Sequence, residues 1–152
     1  MRRQATERAT FVGTLLDLAE AGVGVTVWVV GGRRHDGAPV GLGHDMVVLV
    51  ERGDHVVVQL TAVTLVRPQP GSGAPAASGD RAAALDLRFV ELLARLVDGQ
   101  PDVAIALVSG DVLAGSLLAV GDDVLSVRLA PGADGLAYCP ASAVSSVRFR
   151  SG

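Results

Sequence analysis

The sequence contains no lysine and no asparagine, and all thirteen of its Lys/Arg positions are Arg. It has one cysteine, Cys139, which excludes an intramolecular disulfide and a cysteine-based zinc site. Aromatic residues make up 3% of the chain, so platforms for stacking nucleic-acid bases are scarce. Positive charge is also short: the formal net charge is −3, where a general nucleic-acid binder is usually basic. The apolar run Val25–Val30 is far too short to span a bilayer, and MRRQATERAT lacks the apolar segment of a signal peptide. These absences lead to the expectation of a cytoplasmic protein with no membrane association.

Apolar residues are plentiful. They form 49% of the 152 residues, against 19% charged, enough for a packed core. Near the middle, PQPGSGAPAASGD (68–80) has the composition of a flexible linker. On either side the chain repeats itself. Phe11 matches Phe89, Leu15 matches Leu93, Leu18 matches Leu96, Val25 matches Val103, and Val27 matches Ile105, all at one constant offset. Gly32 and Gly110, Gly37 and Gly115, Gly43 and Gly121, and Asp45 and Asp123 keep the same offset. Pro131–Gly135 then lengthens one loop of the second copy, and Val66-Arg67 matches Val147-Arg148 at a correspondingly larger offset. A duplication explains this economically, with units at 1–67 and 81–152.

Each copy opens with a helical stripe. Phe11, Leu15 and Leu18 fall at i, i+4 and i+7, as do Phe89, Leu93 and Leu96. Gly22 ends the first helix and the Gly99–Pro101 region the second, with Asp80 available as the second helix's cap. The period then becomes two. In copy one it marks Val25, Val27 and Val29, then Val47 and Leu49, then Val56 and Val58, then Val63–Val66. In copy two the segments are Val103–Val108, Val112–Val120, Val124–Leu129, Leu136–Cys139 and Val144–Phe149. So small a sheet must curl, and Gly37, Gly41, Gly43, Gly115 and Gly121 mark where it bends. The expectation is a mainly β chain of two strongly bent, partly open, five-stranded antiparallel barrels, each with one helix. A single continuous sheet, or helix across Val103–Val127, is the outcome that would overturn the duplication.

This pattern resembles the Sm-like (LSm) fold. It is carried by Val25, Val27, Gly32, Gly37, Gly43, Asp45, Val47 and Leu49, and by Val103, Ile105, Gly110, Gly115, Gly121, Asp123, Leu125 and Val127. The whole chain also resembles a group of uncharacterised actinobacterial two-repeat proteins. The resemblance implies the fold more than a function. RNA-binding Sm proteins follow the first-motif Asp with a base-contacting Asn. Here Met46 and Val124 stand in that place, and the second-motif turns read Leu60-Thr61-Ala62 and Pro140-Ala141-Ser142. The family's uridine pocket therefore has no residues to build it. Asp45 and Asp123, each shortly after a glycine, fit turn chemistry.

No catalytic constellation emerges. His35, His44 and His55 each neighbour an Asp, but successive hairpin turns alternate between the ends of a sheet, so they are read as loop-tip residues rather than metal ligands. Cys139 has no histidine in its own half and reads as a buried structural thiol. Asp122 and Asp123 point to opposite faces of a strand. The basic residues Arg33, Arg34, Arg148 and Arg150 are the candidates for phosphate contact. The leading expectation is a non-catalytic module, without cofactor, metal or small-molecule substrate, that associates with itself or with another protein. The alternative is an RNA- or single-strand-binding protein using the arginine surface. The strands expected to mediate association are Val56–Leu60, Val63–Val66, Leu136–Cys139 and Val144–Phe149, with the two copies pairing edge to edge inside one chain.

Overall fold

The computed structural model describes residues 10–70, 83–130 and 135–150. The Pro/Gly/Ser segment lies mostly outside this set, as do Asp80, most of the Pro131–Gly135 loop and residues 1–9. Helix α1 (Phe11–Glu20) is capped by Thr10, whose hydroxyl accepts from the Gly13 amide at 3.0 Å. It ends in a Schellman turn. Gly22 adopts φ +70°, its amide donates to the Ala19 carbonyl, and the Val23 amide donates to that of Leu18. The strands that follow are β1 (Val25–Val29), β2 (Arg34–Leu42), β3 (Met46–Glu51), β4 (Asp54–Gln59) and β5 (Val63–Pro68). A short strand, β6 (Ala83–Ala84), precedes α2 (Phe89–Leu96). The second series is β7 (Asp102–Leu107), β8 (Val112–Val120), β9 (Val124–Leu129), β10 (Leu136–Pro140) and β11 (Val144–Arg150).

The expectation of two strongly bent five-stranded barrels is overturned. Ten strands form one open sheet in the order β10-β9-β8-β7-β11-β4-β3-β2-β1-β5, with antiparallel neighbours throughout and β6 added in parallel to β2. The reason lies in β4. Val56, Val57 and Val58 are all fully buried, so β4 is interior on both faces and its outer edge must be paired. It takes β11 of the second half, with Val57 opposite Val147 and Val56 opposite Arg148.

The repeat nevertheless survives in the pairing register. Val25 faces Gly37 and Val103 faces Gly115; Ala38 faces Val50 and Ser116 faces Arg128. A bulge falls between Pro39 and Gly41, and again at the matching place in copy two, between Leu117 and Ala119. Gly37 and Gly115 are required by crowding. A Cβ on Gly37 would lie 2.5 Å from the Val50 carbonyl oxygen, and one on Gly115 would run into the Arg128 carbonyl.

Two cores result. Leu15 of α1 packs on Val25, Val27, Leu49 and Val56. The other core joins Phe89 and Leu93 of α2 to Ile105, Leu117, Leu125 and Val147, and it also takes in Met46, Val48 and Val57 from the first half. The first half's β3 and β4 are thus covered on both faces. Helix α2 starts at Phe89 after the non-helical stretch 85–88, with Arg88 at its N-cap position. Among the described residues, no helix is long and apolar enough to cross a membrane.

Candidate interaction sites at the junction and the outer strands

The β4–β11 seam buries a polar network. His35 lies inside β2, not at a loop tip, because the turn after β1 closes early and Arg34 already begins the strand. Its Nδ1 donates to Glu51 Oε1 at 3.4 Å, and its Nε2 lies 3.1 Å from the Ser146 hydroxyl of the second half. Glu51 Oε2 accepts from the Asp36 amide at 2.5 Å, and its other oxygen takes Arg148. Arg148 reaches on to Asp54 at 3.3 Å. Burial holds the His35 pKa below 6.5, and the Arg148 and Arg33 charges add to this against the pull of Glu51. Burial pushes the Glu51 pKa up, but the hydrogen bonds from the Asp36 amide, Arg148 and His35 outweigh it and leave the carboxyl below its ordinary value. Gln59 adds a further tie, donating to the carbonyls of Ala141 and Val144 at 2.6 and 2.8 Å.

The seam also brings the arginine candidates together. Arg33, Arg34 and Arg148 line one small cleft, and Arg148 and Arg150 line a second of about 460 Å³ with Asp54 and Asp102. Two of the four are already neutralised, Arg34 by Asp36 at 3.4 Å and Arg148 by Glu51 and Asp54. Arg33 and Arg150 are exposed and make no ion pair with a described residue.

Of the motif residues, Gly37 and Gly115 sit at the strand crossings described above, and Gly43 and Gly121 in the turns before β3 and β9. A Cβ on Gly43 would meet the Leu87 carbonyl at 2.6 Å, where the segment before α2 passes over the turn. Asp45 has a role its turn position does not announce: its carboxylate caps α2 by accepting from the Phe89 amide at 2.6 Å. Asp123 is exposed, and its side chain has no partner among the described residues.

The other candidates take ordinary places. His44 is exposed and pairs with Asp86 at 2.6 Å; His55 stacks on Phe149 with ring centroids 5.6 Å apart. Cys139 is buried, and burial pushes its thiol pKa up, away from nucleophilic thiolate. Among the described residues, no three His, Cys, Asp or Glu side chains converge on a point that could hold a metal.

The remaining surface feature is the pair of strands that end the sheet, β5 and β10. Leu65 on β5 and Leu136 and Tyr138 on β10 are large apolar side chains left exposed. Each strand has a neighbour on one side only. No protein-family model matches the chain, and no curated protein matches it.

Proposed function

We propose that this protein is a non-catalytic association module that works through the edges of its sheet, binding itself or another protein. The observation that carries this reading is the coincidence of open backbone edge and exposed apolar side chain on β5 and β10. An unpaired strand edge invites another strand, and natural proteins usually block it with charge. Here Leu65, Leu136 and Tyr138 stand where blocking charges would be, and Arg67 is the only charged side chain on either strand.

The arginine surface favours a nucleic-acid reading less. Phosphate affinity scales with the number of free cations brought to the backbone. Arg34 and Arg148 are engaged by Asp36, Glu51 and Asp54, and Asp102 lies in the same cleft as Arg150.

The test is to isolate the tagged chain from its native host in two variant forms. Leu65→Lys with Leu136→Lys should lose the protein that accompanies the wild type, a second copy of the chain included. Arg33→Ala with Arg150→Ala should retain it. Loss of bound RNA from the arginine variant, with no protein lost from the lysine variant, would replace this reading with the nucleic-acid one.

A further inference from the structure

The halves of this chain repeat in sequence and register but differ in what they bury. Phe89 is 1% exposed, and its counterpart Phe11 is 45% exposed. Val57 is fully buried, while its counterpart Tyr138 is 66% exposed. Ser146 of β11 is 2% exposed, while its counterpart Leu65 on β5 is 49% exposed. Asp45 caps the helix of the other half, and Asp123 caps nothing described. In the three burial pairs the buried member belongs to the seam between the halves, as does the capping Asp45. The exposed members occupy the ends of the molecule, where that seam would recur if another half were present.

The correspondence fixes a geometry. Met46 faces Gln59 in β3–β4, and Val124 faces Pro140 in β9–β10, so β10 is the second copy's β4. Likewise Val25 faces Pro68 and Val103 faces Phe149, so β5 is the first copy's β11. The seam pairs Ser146 with Val58, Val147 with Val57 and Arg148 with Val56. Transferring it to the outer strands puts Leu65 opposite Cys139, Val66 opposite Tyr138 and Arg67 opposite Ala137.

Resting on the association reading above, we propose that the partner is a second copy of this chain, docked head to tail. The α1 end and β5 edge of one copy seat on the Tyr138 face and β10 edge of the next, in the register of the internal seam. Phe11 then lies over Tyr138 and Val124 as Phe89 lies over Val57 and Met46. Asp123 stands to the Phe11 amide as Asp45 stands to that of Phe89.

The chemistry of the outer site suits a partner that comes and covers it. Where the seam holds His35, Glu51 and Ser146, the equivalent positions are Leu113, Leu129 and Leu65. Arg67 keeps the place of Arg148 and is exposed, while the buried positions of the polar network have become an apolar contact that needs no hydrogen-bond matching. The ladder is short, since Pro68 has no amide to donate. The apolar contact of Phe11 with Tyr138 therefore carries much of the binding. Such an interface is heterologous, so it leaves one free end of each kind and continues into a ring or a filament.

The test uses purified full-length chain and two variants, Phe11→Glu and Tyr138→Glu, measured by light scattering after size exclusion. Both substitutions fall at exposed positions, and retention of the wild-type thermal midpoint confirms that each variant is folded. The wild type should exceed the mass of one chain at high micromolar concentration. Each variant alone should lose that association. Their mixture should form a one-to-one dimer and nothing larger, because each retains one intact end. Two outcomes overturn the proposal: a monomeric wild type, or a Phe11→Glu variant that still self-associates through Tyr138. A monomeric wild type whose accompanying protein is still lost with Leu65→Lys and Leu136→Lys removes the second copy as partner and leaves the association reading intact.

Discussion

Asp45 and Phe89 lie far apart in sequence, and the carboxylate of the first accepts a hydrogen bond from the amide of the second at 2.6 Å. This ties the β2–β3 turn of one half to the first residue of the helix of the other. An anionic acceptor at a helix N-terminus satisfies a donor the helix itself cannot, and it complements the positive end of the dipole. Asp45→Ala should therefore cost about 1 kcal/mol, the usual value for a lost cap. Asp123→Ala in the isolated monomer should cost nearly nothing. Urea denaturation of the two variants side by side checks the contrast. Equal effects would contradict the assigned cap.

Phe89 is the largest fully buried side chain among the described residues, and it joins α2 to strands of both halves. Phe89→Ala should lower stability by about 3–5 kcal/mol. Phe11→Ala, at the matching but exposed position, should change monomer stability by less than about 1 kcal/mol. A loss below about 1 kcal/mol at Phe89 would show that α2 is not anchored as described.

Much of this organisation is legible in the sequence. The two helical stripes lie within α1 and α2, and the period-two segments of the second copy coincide closely with β7–β11. The single sheet is less legible, because alternation along a strand says which residues share a face and not which strand lies alongside. A sign of it is nonetheless present: Met46–Val50 and Val56–Val58 are unbroken apolar runs, the mark of strands covered on both faces. The role of Asp45 is hidden for a different reason. A turn Asp and a capping Asp look alike until the helix that needs the cap is placed. His35 passes for a loop residue because Gly31 to Gly37 reads as one glycine-bounded loop, whereas only residues 30–33 lie between β1 and β2. The free ends of the sheet are where copy two departs from copy one, and that difference acquires meaning only once the internal seam is known.

The glycines at the strand crossings give a third prediction. Gly37→Ala places a Cβ 2.5 Å from the Val50 carbonyl, which is backbone and has no rotamer to yield. A cost of about 1–3 kcal/mol is expected from such overpacking. At Gly121 the nearest atom is the Val124 Cγ1 methyl at 3.1 Å, a side-chain atom that can shift, so Gly121→Ala should cost clearly less. Thermal unfolding of both variants decides it. A Gly37→Ala variant as stable as the wild type would mean that the bend in β2 is not enforced by this contact.

The buried seam makes stability depend on pH. His35 titrates below 6.5 in the folded chain and near 6.5 when unfolded, so the unfolded state takes up its proton first as pH falls. Its contribution is fully present above pH 6.5 and declines below that value until the folded pKa is passed. Protonation also costs the Ser146 hydroxyl its acceptor, since Nε2 becomes a donor. Glu51 acts lower: its folded pKa lies below 4.5, so its contribution is present above that value and is lost as pH falls beneath it. Denaturant midpoints measured from neutral pH downward should fall in two stages, and His35→Asn should flatten the first stage. An unchanged profile in that variant would remove His35 from the account.

In the proposed head-to-tail docking, the ends of one copy meet those of the next as the two halves meet at the internal seam. The mass of the unmodified chain in solution, followed by sedimentation over rising concentration, tests it most directly. Head-to-tail docking requires species well above the 15.5 kDa of one chain, growing with concentration. A constant 15.5 kDa up to high micromolar concentration would contradict it.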